Sequence, residues 1–289
     1  MLLRKVSDYL SLIKFSHTIF ALPFAAIGFL AGAQSVDFEF ERWLVVHVLL
    51  CMIFARSAAM AFNRWADRHI DSLNERTKVR EIPAGIIESQ YALSFALLNC
   101  GLFVATTWFI NQLCFYLSPV ALAVILGYSY TKRFTPYSHL VLGVGLSLAP
   151  IGSYLAVTGQ FALLLVLFSV AVVTWVGGFD IIYSLQDEEF DKKNRLYSIP
   201  SEFGSSRALA ISAVMHVITS LVLLAAYFWG SLGWIYLAGW GIFTGLLIFQ
   251  HTLVKPGDLS RVNAAFFTTN GVASVLFSIA FAADLFIPL

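Results

Sequence analysis

The chain has 289 residues, of which 59% are hydrophobic and 12% charged, with a mean hydropathy of +0.79 and a net charge of +1. Soluble domains carry about 25% charged residues, so this composition excludes a disordered chain, a nucleic-acid binder built on a basic patch and most soluble enzymes. Cys51, Cys100 and Cys114 lie in apolar runs without CxxC spacing, so neither a disulfide framework nor a zinc site is signalled.

An integral membrane protein remains, and the spans can be counted, since a crossing helix needs roughly 20 predominantly apolar residues. Phe15 to Val36 holds no charged residue and predicts the first span. Its Ala31-Gly32-Ala33 looks like a signal-peptide cleavage site, but Asp8 and Lys14 precede it and many apolar runs follow. Trp43 to Asn63 predicts a second span, interrupted only by Arg56. Ser89 to Thr131 is long enough for two, with a break at Asn111-Gln112. Phe134 to Phe179 gives two more around Thr158-Gly159-Gln160, and Ala208 to Val254 another two around Gly230-Ser231-Leu232-Gly233. Val262 to Ala283 supplies the last. The expectation is an all-α membrane protein: one domain over residues 1–289, with nine transmembrane helices around a central cavity.

Lys and Arg favour the cytoplasmic side of a membrane. With the N-terminus cytoplasmic, sixteen of the eighteen basic residues fall inside; only Arg42 lies outside and Arg56 within a span. The absence of an Arg- and Ser-rich transit segment favours a bacterial cytoplasmic (inner) membrane over an organelle.

Two cytoplasmic loops are long and polar, and they share a pattern. The first runs from Asn63 through Asp67 and Asp71 to Arg80-Glu81-Ile82-Pro83. The second runs from Asp180 and Tyr183 through Asp187 and Asp191 to Ser198-Ile199-Pro200. Positions i, i+4 and i+8 share a helix face. Asn63, Asp67 and Asp71 therefore point one way, and so do Tyr183, Asp187 and Asp191. Like charges at this spacing repel, so each cluster calls for a cation. Oxygen-only donors favour Mg²⁺, which keeps waters and is shared between one or two carboxylates and substrate phosphates. Metal-bridged diphosphate is the natural guest, with nearby Lys and Arg neutralising the remaining charge.

Asn-x-x-x-Asp-x-x-x-Asp at 63–71 and Asp-x-x-Tyr-x-x-x-Asp-x-x-x-Asp at 180–191 resemble the two signature motifs of the UbiA superfamily of intramembrane aromatic prenyltransferases. Tyr128-x-x-x-Lys132 also matches that family. The opening Lys14-Phe15-Ser16-His17-Thr18 with Ala21-Leu22-Pro23 is most similar to the 4-hydroxybenzoate polyprenyltransferase branch. Its close relative, which prenylates a dihydroxynaphthoic acid on the way to menaquinone, shares these motifs. Glu81 departs from the pattern, standing where many relatives carry an apolar residue or Pro, and alters the local charge balance. The resemblance implies ionisation of a polyprenyl diphosphate and capture of the allylic carbocation by an electron-rich ring in membrane quinone biosynthesis.

On that reading Asn63, Asp67, Asp71, Asp187 and Asp191 form the catalytic Mg²⁺-diphosphate set. Lys132 and Tyr128 contact the diphosphate by resemblance; Arg64, Lys78, Arg80 and Arg195 are candidates by position. Asp180 is a supporting or substrate-facing acid, and Tyr183 lies one turn before Asp187. Arg56 sits seven residues before Asn63 on the same helix, about two turns deeper. An intramembrane Arg is costly unless paired. It is expected to bind the carboxylate of the aromatic acid acceptor; an ion pair with an acid of another span, such as Asp180, is the alternative. His17, His69, His139, His216 and His251 lack metal-ligand spacing and read as structural or interfacial. The rival class is a polytopic transporter. Transporters hold their ionisable groups near the bilayer midplane on broken helices, whereas these acids cluster at helix ends.

Overall fold

The structure, a computed structural model, describes residues 2–13, 21–36 and 42–287. The Lys14–Thr18 element and the front of the first expected span lie outside the described residues. The described residues form helices α1 (Leu2–Leu12), α2 (Leu22–Ser35), α3 (Arg42–Ala66), α4 (Arg68–Leu73), α5 (Ser89–Trp108), α6 (Gln112–Thr131) and α7 (Ser138–Thr158). The chain continues with α8 (Leu163–Ser184), α9 (Glu188–Lys193), α10 (Ile199–Phe203), α11 (Ser205–Trp229), α12 (Trp234–Thr252) and α13 (Asn270–Phe286). A tight 3₁₀ turn, Leu185–Asp187, joins α8 to α9, and a π-helical segment, Ala264–Thr269, leads into α13.

Among the described residues, seven helical runs are long and apolar enough to cross a bilayer: α3, α5, α6, α7, α8 continuing through α9, α11, and the π segment with α13. The two other expected spans are different. The apolar helix α2 has 14 residues, and the 19-residue α12 ends on Gln250-His251-Thr252. Nine spans thus become seven of full length and apolarity, with α2 and α12 at the remaining positions. The expected breaks hold, because each apolar run stops where backbone chemistry favours a turn. Gly159 closes α7 with φ 65°, a left-handed conformation that costs a Cβ-bearing residue energy, and its amide donates to Leu155 O.

The chain divides into two compact units. The first holds Met1–Thr18 and Glu41–Tyr130. In it α3 packs along α5, and its small buried core consists of Leu12, Ala61, Ile87, Ala92 and Ala96. The second holds Ile19–Phe40 and Thr131–Leu289. Here α8 is sandwiched by α7 and α11, α2 lies on α7, and α12 on α13. The core of this unit is aromatic, with Phe24, Phe168, Trp175, Phe179, Tyr236, Phe243, Phe277 and Phe281 fully or almost fully buried.

Close helix approach in the second unit follows from small residues, which let backbones meet where lipid supplies no hydrophobic drive. A Cβ on Gly28 of α2 would stand 2.0 Å from Pro150 O of α7, and the Ser153 hydroxyl bonds to Ala25 O across that contact at 2.7 Å. The π segment is repaired by one side chain. Asn270 Nδ2 donates to the carbonyls of Ala265 and Phe266, while its Oδ1 accepts the Trp175 indole N–H at 2.8 Å. Every polar atom of that buried amide is thereby engaged in bonding the π-helical turn to α8.

Candidate active site

The first acidic motif begins in the last turn of α3 and ends in α4. Asp67 stands between the two helices with φ −94° and ψ 7°, yet the helical bonding continues through it. The amide of Asp67 donates to Asn63 O at 2.9 Å and that of Asp71 to Asp67 O at 2.8 Å. This i, i+4 run gives the shared face expected from the spacing. Asn63 Nδ2 donates to Asp67 Oδ2 at 3.1 Å and to the Ser129 hydroxyl, in the last turn of α6, at 3.5 Å.

Asp71 is buried, and its Oδ1 accepts from Arg80 Nη1 at 2.7 Å. The other oxygen, Oδ2, is buried without a hydrogen-bond partner. Arg64 is buried within electrostatic reach of Asp67, Asp71, Glu81 and Arg80, and its Nε also has no hydrogen-bond partner. Glu81 accepts the Ser11 hydroxyl, so the departure from the family pattern fastens the loop to α1. Lys78 is exposed and paired with Glu75 at 2.5 Å, within the loop.

The second motif is built differently. Tyr183 lies in the last turn of α8, Asp187 at the end of the 3₁₀ turn and Asp191 in α9. A 3₁₀ turn advances about 120° per residue against about 100° in an α-helix. The tightened turn changes the angular step between Tyr183 and Asp187 from that of a regular α-helix, while Asp187 stays within electrostatic reach of Asp191. Tyr183 packs its ring 4.2 Å from Phe266 and 6.0 Å from Phe267 in the π segment.

Asp191 is buried. Lys132 Nζ lies 3.8 Å from its Oδ2, an ion pair too long for a hydrogen bond. That oxygen has no hydrogen-bond partner. Asp187 and Lys132 are both within electrostatic reach of the Asp191 carboxylate. Tyr197 N donates to Lys132 O at 2.7 Å, which fastens the loop after α9 to the residue that carries this cation. Arg195 is exposed with φ 55°.

Asp180 is engaged by a histidine that its sequence spacing did not single out. His139, fully buried in the first turn of α7, places Nδ1 at 2.6 Å from Asp180 Oδ2. Its Nε2 accepts the amide of Ile199 at 3.4 Å. His216 and His251 also pair, Nδ1 to Nε2, at 2.9 Å. These interhelical bonds are of the structural kind expected for His139, His216 and His251, and ring-nitrogen bonds between distant helices leave no spacing signature. Arg56 is half-buried in the middle of α3, and Tyr128 half-buried near the end of α6.

Among the described residues, no three His, Cys, Asp or Glu side chains gather into a metal cage. Each motif instead offers one buried carboxylate oxygen with no hydrogen-bond donor, Asp71 Oδ2 and Asp191 Oδ2, beside a basic side chain. This donor set fits a hard cation that takes one or two carboxylates and fills its remaining sites with water and phosphate oxygens.

The sequence profile of the UbiA prenyltransferase family matches residues 21–272. A 4-hydroxybenzoate octaprenyltransferase of Psychromonas ingrahamii is 32% identical over 265 residues, covering 90% of this chain and 87% of that protein. The apo structure of a UbiA homolog from Aeropyrum pernix superposes with a TM-score of 0.83 at 30% identity, covering 93% of this chain and 98% of the other. A UbiA homolog from Archaeoglobus fulgidus, bound to DMAPP and Mg²⁺, has the same fold with a TM-score of 0.72 at 20% identity, over 97% and 100% of the two chains.

Proposed function

The chain belongs to the UbiA prenyltransferase family, and from that premise we propose that it transfers a polyprenyl group from polyprenyl diphosphate to 4-hydroxybenzoate in membrane quinone biosynthesis. The observation that carries this reading is the buried, donorless carboxylate oxygen in each acidic motif of a family member. The acceptor is supported by the 4-hydroxybenzoate octaprenyltransferases to which the chain is about 30% identical. Residues 1–289 act as one catalytic domain in the cytoplasmic membrane, with the N-terminus and both acidic motifs on the cytoplasmic side. The distribution of Lys and Arg supports that orientation.

Asn63, Asp67 and Asp71 of the first motif and Asp187 and Asp191 of the second hold Mg²⁺. When bound, Mg²⁺ neutralises the charge that develops on the departing diphosphate. Asn63 orients the Asp67 carboxylate through the Nδ2 bond. Arg80 holds Asp71, leaving one oxygen of that acid open. Lys132 stands beside Asp191, with Tyr128 one helical turn earlier in the chain, and contributes positive charge where the leaving group gathers negative charge. Arg64, whose Nε–H has no acceptor, contributes likewise. Exposed Lys78 and Arg195 contribute long-range charge at most. Tyr183, packed on Phe266, presents an aromatic face beside the second motif; such faces stabilise nearby positive charge. Arg56 binds the acceptor carboxylate, which fixes the ring for attack on the allylic carbon.

The test is prenyl transfer by purified protein in detergent with Mg²⁺ or EDTA. A labelled prenyl diphosphate is offered with 4-hydroxybenzoate or, separately, a dihydroxynaphthoate, with Arg56→Ala as a variant. The expected result is Mg²⁺-dependent prenylation of 4-hydroxybenzoate, with KM for that acid raised at least tenfold in Arg56→Ala and KM for the donor unchanged. Preference for the dihydroxynaphthoate would move the protein to the menaquinone route. A raised donor KM alone would remove Arg56 from the acceptor site.

A further inference from the structure

The end of α8 is enclosed almost entirely by its neighbours, and one acid breaks that enclosure. From Trp175 to Leu185 every residue is buried except Asp180 and Tyr183. Three positions apart, these two share a helix face, so together they form the open stripe of the helix end. The segment belongs to a membrane-spanning run, where a carboxylate is costly and marks a functional site by default. Asp180 stands seven residues before Asp187, about 10 Å deeper along the helix axis. The order along α8 is thus a diphosphate-binding acid, an aromatic face suited to the allylic cation, and then a second carboxylate.

His139 fixes that carboxylate. Its Nε2 accepts the Ile199 amide at 3.4 Å, which assigns the ring proton to Nδ1, the atom that lies 2.6 Å from Asp180 Oδ2. The imidazole is fully buried, whereas the Asp180 side chain keeps 15% of its surface open. The pairing has two consequences. Among the described residues no Lys or Arg pairs with Asp180, so its charge is met by the hydrogen bond of a neutral ring. Gaining a proton then removes a poorly compensated charge instead of breaking an ion pair. In addition, Oδ2 is taken on the buried side, which leaves Oδ1 to the open stripe.

We propose that Asp180 Oδ1 is the base that takes the ring proton of the acceptor, and that His139 is the positioning residue that turns this oxygen toward it. The proposal rests on the prenyl-transfer reading and supplies the one step to which that reading assigns no residue. When the allylic C–O bond breaks, its electron pair leaves with the diphosphate. The ring carbon beside the phenol hydroxyl gives a π pair to the new C–C bond and still carries its hydrogen. Asp180 Oδ1 accepts that proton, and the C–H pair restores the aromatic ring. The carboxylic acid so formed passes the proton to the released diphosphate or to water. A positioned base of this kind contributes about 10²- to 10⁴-fold.

The test uses the full-length protein in detergent, with 4-hydroxybenzoate and the same acid deuterated at both ring positions ortho to the hydroxyl. The readouts are kcat, KM for the acid, the deuterium isotope effect on kcat and the apparent melting temperature. Asp180→Asn keeps the side-chain shape and an acceptor for His139 while removing the base. His139→Phe fills the ring volume without the bond from Nδ1, and His139→Asn retains a donor near that position.

The expected result for Asp180→Asn is a fall in kcat of about 100-fold or more, with KM for the acid little changed. Slowed proton loss then limits turnover, so the isotope effect on kcat should exceed that of the wild type. His139→Phe should show a smaller fall with a rise in the isotope effect, and His139→Asn should recover most of both. An isotope effect that stays at the wild-type value in Asp180→Asn overturns the base, whatever the loss of rate or rise in KM. A lower melting temperature in His139→Phe, with kcat and isotope effect unmoved, overturns the positioning role. If Asp180→Asn fails to fold or to turn over, Asp180→Glu, which displaces the base by one methylene, decides by the same isotope effect. Wild-type protein that does not prenylate the acid would overturn the function reading and this inference together, whereas wild-type turnover with an unaltered isotope effect in the variants overturns this inference alone.

Discussion

The two acidic motifs read as repeats, but the two units hold them in different ways. In the first, the ion pair is local: Asp71 is bonded by Arg80, nine residues along the same loop. The motif itself keeps α-helical bonding through Asp67. In the second, the partners of Asp191 and Asp180 come from elsewhere in the chain. Lys132 follows α6, and His139 belongs to α7. A 3₁₀ turn ending at Asp187 also separates α8 from α9. The surroundings differ in the same sense. The first unit has a thin, alanine-rich core, and the second has aromatic rings packed around α8. Equal sequence patterns therefore do not imply equal support: one motif is organised by its own loop, the other by the fold around it.

If the motifs are equivalent in chemistry despite this, Asp67→Asn and Asp187→Asn should be equally harmful. Each removes a carboxylate charge while keeping the shape of the side chain. The expected loss in kcat/KM is on the order of 10³-fold, comparable to removing a principal group that stabilises transition-state charge. Steady-state prenyl transfer at saturating Mg²⁺ measures it. A loss confined to one motif would break the comparison and leave the other as scaffold.

Partner removal sharpens the same contrast. Arg80→Ala deprives a buried carboxylate of the cation bonded to it at 2.7 Å, so it should lower stability by about 1–3 kcal/mol as well as activity. Lys132→Ala removes a looser contact at 3.8 Å from a side chain that is partly exposed. It should cost roughly 10- to 100-fold in kcat with little change in stability. Thermal unfolding in detergent, run beside the kinetics, separates the two. Equal destabilisation by both variants would mean that Lys132 is as much a structural partner as Arg80.

The sequence was most informative where structure is local. Apolar run lengths placed the helices, and Asn111, Gly159 and Gly230 to Gly233 marked real turns because these residues favour chain reversal. The spacing of Asn63, Asp67 and Asp71 was converted directly into a helical face. Long-range pairing was not legible. Nothing in the order of residues couples His139 to Asp180 and Ile199, or Ser129 to Asn63. The 3₁₀ turn at Leu185–Asp187 and the π segment at Ala264–Thr269 are departures from regular helix set by packing, and Asn270 shows its role only once Trp175 is beside it. Among the described residues, seven of the nine expected spans are of full length and apolarity, while α2 has 14 residues and α12 ends on polar ones.

The smallest effect tests the packing contrast with two alanines. A Cβ on Gly143, in α7, would lie 2.5 Å from Val173 O and 2.9 Å from Val173 Cα in α8, so the two helices must part to admit it. Overpacking of this kind costs about 1–3 kcal/mol. Gly101, in α5 of the first unit, has no atom within 4 Å of the same position. There alanine meets no obstacle and gains helix propensity, up to about 1 kcal/mol. Gly143→Ala should therefore lower the apparent melting temperature, while Gly101→Ala should leave it unchanged or raise it slightly. A fall of similar size in both would show that the first unit is packed as tightly at α5 as the second is at α7. The difference between the units would then reduce to the way each anchors its acids.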